Sequence, residues 1–449
     1  MADASCPAKT SRLRTFLRWC MIFAMPAFAM LVNSVLASEK GSRPNFLIFM
    51  ADDQYKASIG CYGADPSHTP NIDAFAAQGT RFTRCFTESA CCTPNRATFL
   101  SGMYPLRNGA HANHSGFFNG IKSLPNFMKE LGYRSCLVNK DGIRKPSDIY
   151  GWESWIKESD KLAPGATDPK SNRMRMSRFD DIEAFIASAD DRPFCLMHAA
   201  RQPHTPWLSE LPNGLKGYDA SNWFLDSEFG QDLALLKKHG LEESTIVIYV
   251  NDNETHVPRS KYTLYDTGLN VPCIVRWPGV TPPGSTCDAM LGFIDFLPTL
   301  VELAGGEPDP KWDGRSMVDL WRGKTDSHRH ELYLSYTGVT LGSTYGRIPF
   351  PIRGWRTERF KYLRNLNHTI GHPLQDNIML PPEELYDVAA DPDERRNLIA
   401  NPEFQVVRKE LSNKVDAMMK DTSDLGIESE LESLARYPDG EKKSAAVRD

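Results

Sequence analysis

The sequence predicts an α/β fold: a mostly parallel sheet sandwiched by helices, followed by a small C-terminal antiparallel-sheet subdomain. Two observations carry this. Five short apolar runs recur along the chain: Asn45–Met50, Ser135–Val138, Phe194–Met197, Thr245–Val250 and Val271–Val275. Runs of this length bounded by polar or turn-forming residues are the pattern of strands buried on both faces. Between them, Asn71–Gln78, Leu124–Leu131, Phe179–Ala187 and Phe229–His239 carry apolar residues at helical spacing. Gly79, Gly132 and Gly240 stand where three of these helices stop.

The chain's 449 residues are long enough for one large domain with a smaller appendage, and 41% hydrophobic with 24% charged residues is ordinary globular composition. A net charge of −5 gives no broad basic face, so nucleic acid is not an expected partner. At the N-terminus Lys9, Arg12, Arg14 and Arg18 precede an apolar stretch from Trp19 to Leu36 and the small-residue run Val35–Ser38. That is the layout of a signal peptide over residues 1–37, which implies a periplasmic or secreted protein. A retained anchor is the alternative. Because the apolar run is near the lower spanning length and contains Pro26, no stable membrane insertion is expected. Ten cysteines include Cys6 and Cys20 in the leader, and the rest show no C-x-x-C spacing. Neither a disulfide framework nor a structural zinc site follows.

The main domain is expected over 43–345 and an α+β subdomain over 346–425. Ile352–Arg356 and Phe360–Asn365 read as two strands around Thr357-Glu-Arg, with Glu384–Val388 following and then a helix that ends before Leu425. Residues 426–449 read as a polar tail.

In open α/β sheets ligands bind beyond the carboxyl ends of strands. Here the first strand runs into Asp52-Asp53, the second into Asn139-Lys140, the third into His198 and His204, and the fourth into Asn251-Asp252-Asn253. Three aspartates and an asparagine are hard oxygen donors that suit Ca²⁺ or Mg²⁺ better than zinc. Taken singly, each such pair also reads as a turn or helix cap. The run Cys92-Thr-Pro-Asn-Arg96 places Pro94 at a helix start and Cys92 at its positive end, with Arg96 one turn on. A nucleophile there, beside a guanidinium, suits an anionic substrate.

Cys92-Thr-Pro-Asn-Arg96 followed by Leu100-Ser-Gly resembles the signature of type I, formylglycine-dependent sulfatases. The Asn45–Gln54 stretch, Pro203-His204-Thr-Pro, Asn251-Asp-Asn, the Lys261–Gly268 block and Leu385-Tyr-Asp-Val resemble further blocks of that family, over about residues 43–415. The pattern is somewhat like heparan N-sulfatases (sulfamidases). The resemblance implies an alkaline-phosphatase-like fold and a sulfuric ester or N-sulfate hydrolase acting on sulfated carbohydrates. It implies Ca²⁺ held by Asp52, Asp53, Asp252, Asn253 and modified Cys92, and a formylglycine-generating enzyme as maturation partner. By the same resemblance, hydrated formylglycine at position 92 would attack sulfur, Arg96 and the ion would make it more acidic, Lys140 and Lys261 would clamp the sulfate, and His204 would protonate the leaving group.

There are departures. The family's Lys-x-His appears here as Lys140-Asp141-Gly142, leaving His111 or His114 as conceivable substitutes, and Asn251 and Glu254 replace a serine and a glycine. His198 and His256 read as structural or substrate-facing. Trp152, Trp155 and Trp207 could stack on sugars, and Arg144 and Lys145 could meet a sugar carboxylate. Two other readings stay open: a phosphoester or phosphonate hydrolase of the alkaline phosphatase superfamily, and a non-catalytic sulfoglycan-binding homologue.

Overall fold

The structure is a computed structural model that describes residues 43–143, 151–339 and 348–436. The expected leader, Arg144, Lys145 and the residues after 436 lie outside the described residues. The main sheet runs in the order β10 (Leu291–Gly292), β2 (Thr80–Phe86), β8 (Asn270–Arg276), β7 (Thr245–Asn251), β1 (Asn45–Asp52), β5 (Phe194–Pro203), β3 (Arg134–Asn139) and β4 (Ser154–Ile156). A ninth strand, β9 (Ser285–Cys287), lies beside β2, and β6 (Leu208–Glu210) bridges to Lys216 and Gly217 away from the sheet. Strands β7, β1, β5, β3 and β4 are parallel, whereas β8 runs against both its neighbours. All five apolar runs are strands. Strand β2 escaped the sequence because Thr80-Arg-Phe-Thr-Arg-Cys-Phe breaks its apolar residues with two Thr-Arg pairs rather than reading as a continuous apolar run.

The pleat sorts the two faces. Phe46, Ile48 and Met50 of β1 enter one core with helices α2 (Cys92–Ser101), α3 (Leu124–Glu130) and α6 (Phe296–Leu303). Leu47, Phe49 and Ala51 enter the other with α1 (Pro70–Ala76), α4 (Phe179–Ile186) and α5 (Gly217–Lys238). Truncating a residue as deeply placed as Phe49 to alanine is expected to cost about 3–5 kcal/mol. The expected helix Phe229–His239 is the second half of the longer α5. The cysteines at 61, 85, 91, 92, 136, 195, 273 and 287 are unpaired.

A second, antiparallel sheet has the order β11 (Glu331–Tyr336), β12 (Ile352–Thr357), β13 (Phe360–Asn365) and β14 (Glu383–Asp387). Its first strand precedes the expected boundary at 346. Leu332, Leu334, Ile352 and Leu363 pack on Phe86, Leu264 and Ile294 of the main domain, and Tyr362 and Leu385 on Leu411 and Val415 of α7 (Gln405–Asp421).

The expected polar tail needs correction: Ile427–Arg436 is a helix, α8. The cause is Arg353 on β12, fully buried, whose guanidinium takes Asp424 and, at 2.8 Å, Glu430 as counter-charges and so anchors α8. Among the described residues no helix is long and apolar enough to cross a membrane.

Candidate active site

The carboxyl ends of β1, β3, β5 and β7 converge, as the strand order requires. Two of these ends leave the sheet through left-handed residues, Asp53 (φ 64°) and Asn139 (φ 63°), a conformation that non-glycine residues adopt only when their surroundings hold them. At Asn139 the holding groups are visible. Its amide Nδ2 donates to Ser177 Oγ at 2.7 Å and lies 3.2 Å from His198 Nε2, while Trp155 Nε1 donates to its carbonyl. His198 Nδ1 in turn meets Asp232 at 2.6 Å. His198 is therefore a buried structural group that sets where Lys140 leaves β3.

Helix α2 is bounded by extended Cys91 and by Gly102 in the left-handed region (φ 65°), and all ten of its residues are buried. Cys92 Sγ lies 3.7 Å from Asp52 Oδ1, 3.8 Å from Asp53 Oδ1 and 3.5 Å from Lys261 Nζ. Lys140 Nζ donates to both oxygens of Asp52 at 2.6 and 2.7 Å, and Lys261 Nζ to both of Asp53 at 2.6 Å. Arg96 Nε donates to Asp252 Oδ2 at 2.9 Å, and Asp53 N to Asp252 Oδ1 at 3.1 Å. Asn253 Nδ2 donates to Asp53 at 2.7 Å, and His204 Nε2 lies 3.4 Å from Asp53 Oδ2. Asp52, Asp53, Cys92, Arg96, Lys140, His204, Asp252, Asn253 and Lys261 thus form one connected cluster.

Burial opposes ionisation of Asp52, but Lys140, His204, Arg96 and Lys261 outweigh it and hold its carboxyl well below the usual carboxylate range. Asp252 goes the other way: burial, only partly offset by Arg96, lifts it to about 6. Burial and then Asp252 push the Cys92 thiol well above its ordinary value. An unmodified Cys92 therefore holds its proton at neutral pH and is a poor nucleophile. Burial lowers His204 to about 4, so its ring is neutral near pH 7.

The donor set fits a hard divalent cation. Donor atoms of Asp52, Asp53, Cys92 and His204 all lie within 4.8 Å of one another. Asn253 Oδ1 is buried without a hydrogen-bond partner, and half a turn of that amide presents it to the same carboxylates.

The departures have structural reasons. Gly142 has φ +69°, and a Cβ there would lie 2.4 Å from Arg96 Cδ, so the backbone has no room for a histidine. Asn251 stitches the two acidic loops: its Oδ1 accepts from Gln54 N at 3.0 Å and its Nδ2 donates to Gln54 O and Asn253 O at 2.6 Å. Glu254 accepts from Lys56 N. His111 does not replace the missing histidine, because its ring faces Ser429 O and Glu430 in the Arg353 cluster. His114 stands near α2 through its backbone N–H, which donates to Thr93 Oγ1 at 2.9 Å. His256, exposed, packs against Tyr262 next to Lys261. Trp152 and Trp155 pack on the core, whereas Trp207 is exposed. Sequence reasoning passed over Asn95, whose side chain joins Ser89 N and Asp252 O and so ties α2 to the loop after β7. The signal was its place within the Cys92–Arg96 run.

Residues 44–306 match the family model described as Sulfatase, and residues 256–421 match the model described as N-sulphoglucosamine sulphohydrolase, C-terminal. The chain belongs to the sulfatase family. It is a sulfuric ester hydrolase of that family, 32% identical over 435 residues to an ulvan-active sulfatase of Formosa agariphila, covering 88% of this chain and 83% of that protein. It is also 26% identical over 451 residues to human arylsulfatase A, covering 82% and 87%. Among solved structures it superposes on a protein in complex with its substrate D-glucosamine-2-N,6-O-disulfate with a TM-score of 0.69 at 21% identity, over 86% of this chain and 99% of that one. The phosphonate monoester hydrolase of Agrobacterium radiobacter shares the fold, with a TM-score of 0.65 at 19% identity over 85% and 96% of the two chains. This sulfatase therefore has the mostly parallel, alkaline-phosphatase-like sheet and the small antiparallel sheet.

Proposed function

We propose that this sulfatase removes sulfate from sulfated carbohydrates after export, with residue 92 as the formylglycine nucleophile and Ca²⁺ bound beside it. One observation carries the reading: Cys92 stands at the start of buried α2 among Asp52, Asp53 and Lys261, where its own thiol is held protonated. Asp52, Asp53, Asp252 and Asn253 would hold the ion, whose charge lowers the pKa of a hydroxyl beside it. Formylglycine supplies a geminal diol, one hydroxyl to attack sulfur and a second whose deprotonation expels sulfate and restores the aldehyde.

The chain's own residues do the rest. Arg96 stabilises the nucleophile's negative charge, and Lys140 and Lys261 take up the charge that grows on the sulfate oxygens. Stripping sulfate from R–O–SO₃⁻ leaves an alkoxide that must gain a proton at oxygen. His204 stands to give it once the substrate's negative charge lifts its proton affinity. The carbohydrate class is supported by the names of the relatives, among them the ulvan-active sulfatase and the enzyme solved with a disulfated glucosamine.

The test is the mass of the Cys92 peptide from protein made in its native host, read together with sulfate release from sulfated oligosaccharides. A dominant aldehyde mass with sulfate release is expected. A thiol at position 92 in active protein would sink the formylglycine mechanism, and a modified but inactive protein would favour the binding homologue.

A further inference from the structure

Position 142 cannot carry a side chain, yet one strand away a guanidinium faces the same corner of the cluster. Arg201 stands on β5 three residues before His204, where the β1–β5 register slips between Met50 and Asp52. It comes two residues after Ala199, which packs in the same core as α2, and its charge is felt by Asp52, Asp141 and Arg96. Its Nε is tied to Glu158. Among the described residues, Nη1 and Nη2 make no hydrogen bond, and the side chain keeps 17% of its surface exposed. Burial lowers this guanidinium to about 10, because Asp52 and Asp141 offset only part of the cost. A partly buried arginine fixed at one nitrogen, with a free fork open to solvent, is preorganised to bind an oxyanion through two oxygens.

We infer that Arg201 is a substrate-binding residue of this sulfatase, presenting Nη1 and Nη2 to an anionic oxygen of the substrate at the carboxyl end of β5. The inference rests on the sulfatase reading above. Glu158 is the positioning residue that fixes the fork. The oxyanion is either the sulfate being removed or a carboxylate on a neighbouring sugar.

Arg201→Gln, Arg201→Lys and Glu158→Gln are compared with the wild type on two substrates: an aryl sulfate with no other anion, and a sulfated oligosaccharide that contains a uronic acid. Loss of a charge-assisted hydrogen bond predicts a fall in kcat/KM of about 10–100-fold for Arg201→Gln, with partial recovery in Arg201→Lys. An equal fall on both substrates assigns the departing sulfate, and a fall on the uronic acid substrate alone assigns the carboxylate. Calorimetric titration of Cys92→Ala, with and without Arg201→Gln, uses inorganic sulfate and glucuronate as probes and needs no turnover. At least one probe is expected to bind about tenfold more weakly. Less than a twofold change with both substrates and both probes, whatever happens to Tm, makes Arg201–Glu158 a structural pair and overturns the inference. Should Arg201→Gln fail to fold, Arg201→Lys carries the same comparison. A wild type that releases no sulfate sinks the sulfatase reading, while the titrations still decide on Arg201.

Discussion

Two clusters of buried charge differ in how their groups are spent. Where the two sheets meet, Lys361 Nζ lies 2.5 Å from Asp266, 2.7 Å from Glu394 and 2.9 Å from Leu264 O, and Arg356 adds a 2.8 Å pair to Asp266. Glu394 in this cluster nonetheless has φ 54° and an Oε1 buried without a hydrogen bond. At the carboxyl edge of the main sheet, Asp52, Asp53 and Asp252 face Lys140, Lys261 and Arg96, so formal charge is equally balanced. Yet Asn253 Oδ1 and Arg96 Nη1 are buried without hydrogen bonds, and Asp53, Asn139 and Tyr262 have positive φ. Buried charge, strain and unused polar atoms therefore occur in both clusters and do not mark a site by themselves. What the second cluster adds is a potential nucleophile, Cys92, whose Sγ lies with donor atoms of Asp52, Asp53 and His204 within 4.8 Å of one another.

The largest expected effect separates the two clusters outright. Cys92→Ala should reduce sulfate release at least about a thousandfold with little change in Tm. Lys361→Met should do the reverse: breaking a buried pair costs about 3–5 kcal/mol in denaturant titration, and kcat of the surviving folded protein stays within about twofold. Lys261→Ala should combine both losses, with kcat down about 100-fold or more and stability reduced, because in the proposed mechanism it would hold sulfate and in the structure it neutralises Asp53. If Lys261→Ala lost stability alone, the two clusters would be of one kind. Next, Ca²⁺ at about 100 times its Kd should raise unfolding free energy by about 2.7 kcal/mol in wild type and Lys361→Met alike, and EDTA should remove the gain. Asp53→Asn should not respond.

The smallest effect is on pH. His372 is buried against Tyr262 O, and burial lowers it to about 4 from an ordinary 6.5. The unfolded chain then takes the proton first, so stability falls as pH drops from about 6.5 to 4 and levels off below. The expected loss is about 2 kcal/mol by pH 5. His204 and His111 are lowered in the same way, so His372→Gln should reduce, not abolish, the fall of Tm between pH 6.5 and 4, and an unchanged slope would show that this ring does not contribute to it.

The sheet was legible because strands covered on both faces read as unbroken apolar runs, and Asp52, Asp53, Asp252 and Asn253 were legible because those runs end abruptly. Cys92 and Arg96 needed the helix-start logic of Pro94, and Lys261 needed the resemblance, since no strand ends at it. Arg201 was hidden as one polar residue inside a strand longer than its apolar stretch. Helix α8 was hidden for the opposite reason: it buries Glu430 and leaves Leu431 50% exposed, so its pattern reads as solvated tail. Only Arg353, some 77 residues earlier in the chain, explains that inversion.

The thiol of Cys92 is 6% exposed within a helix whose every residue is covered. That burial imposes a timetable. If Cys92 is converted as proposed, the converting enzyme would have to reach a thiol that the folded protein covers, so conversion would belong to the interval before α2 docks on the sheet. A molecule that folded first would then keep its thiol for as long as it stayed folded, and the ratio of working to idle molecules would be settled by a race between modification and folding.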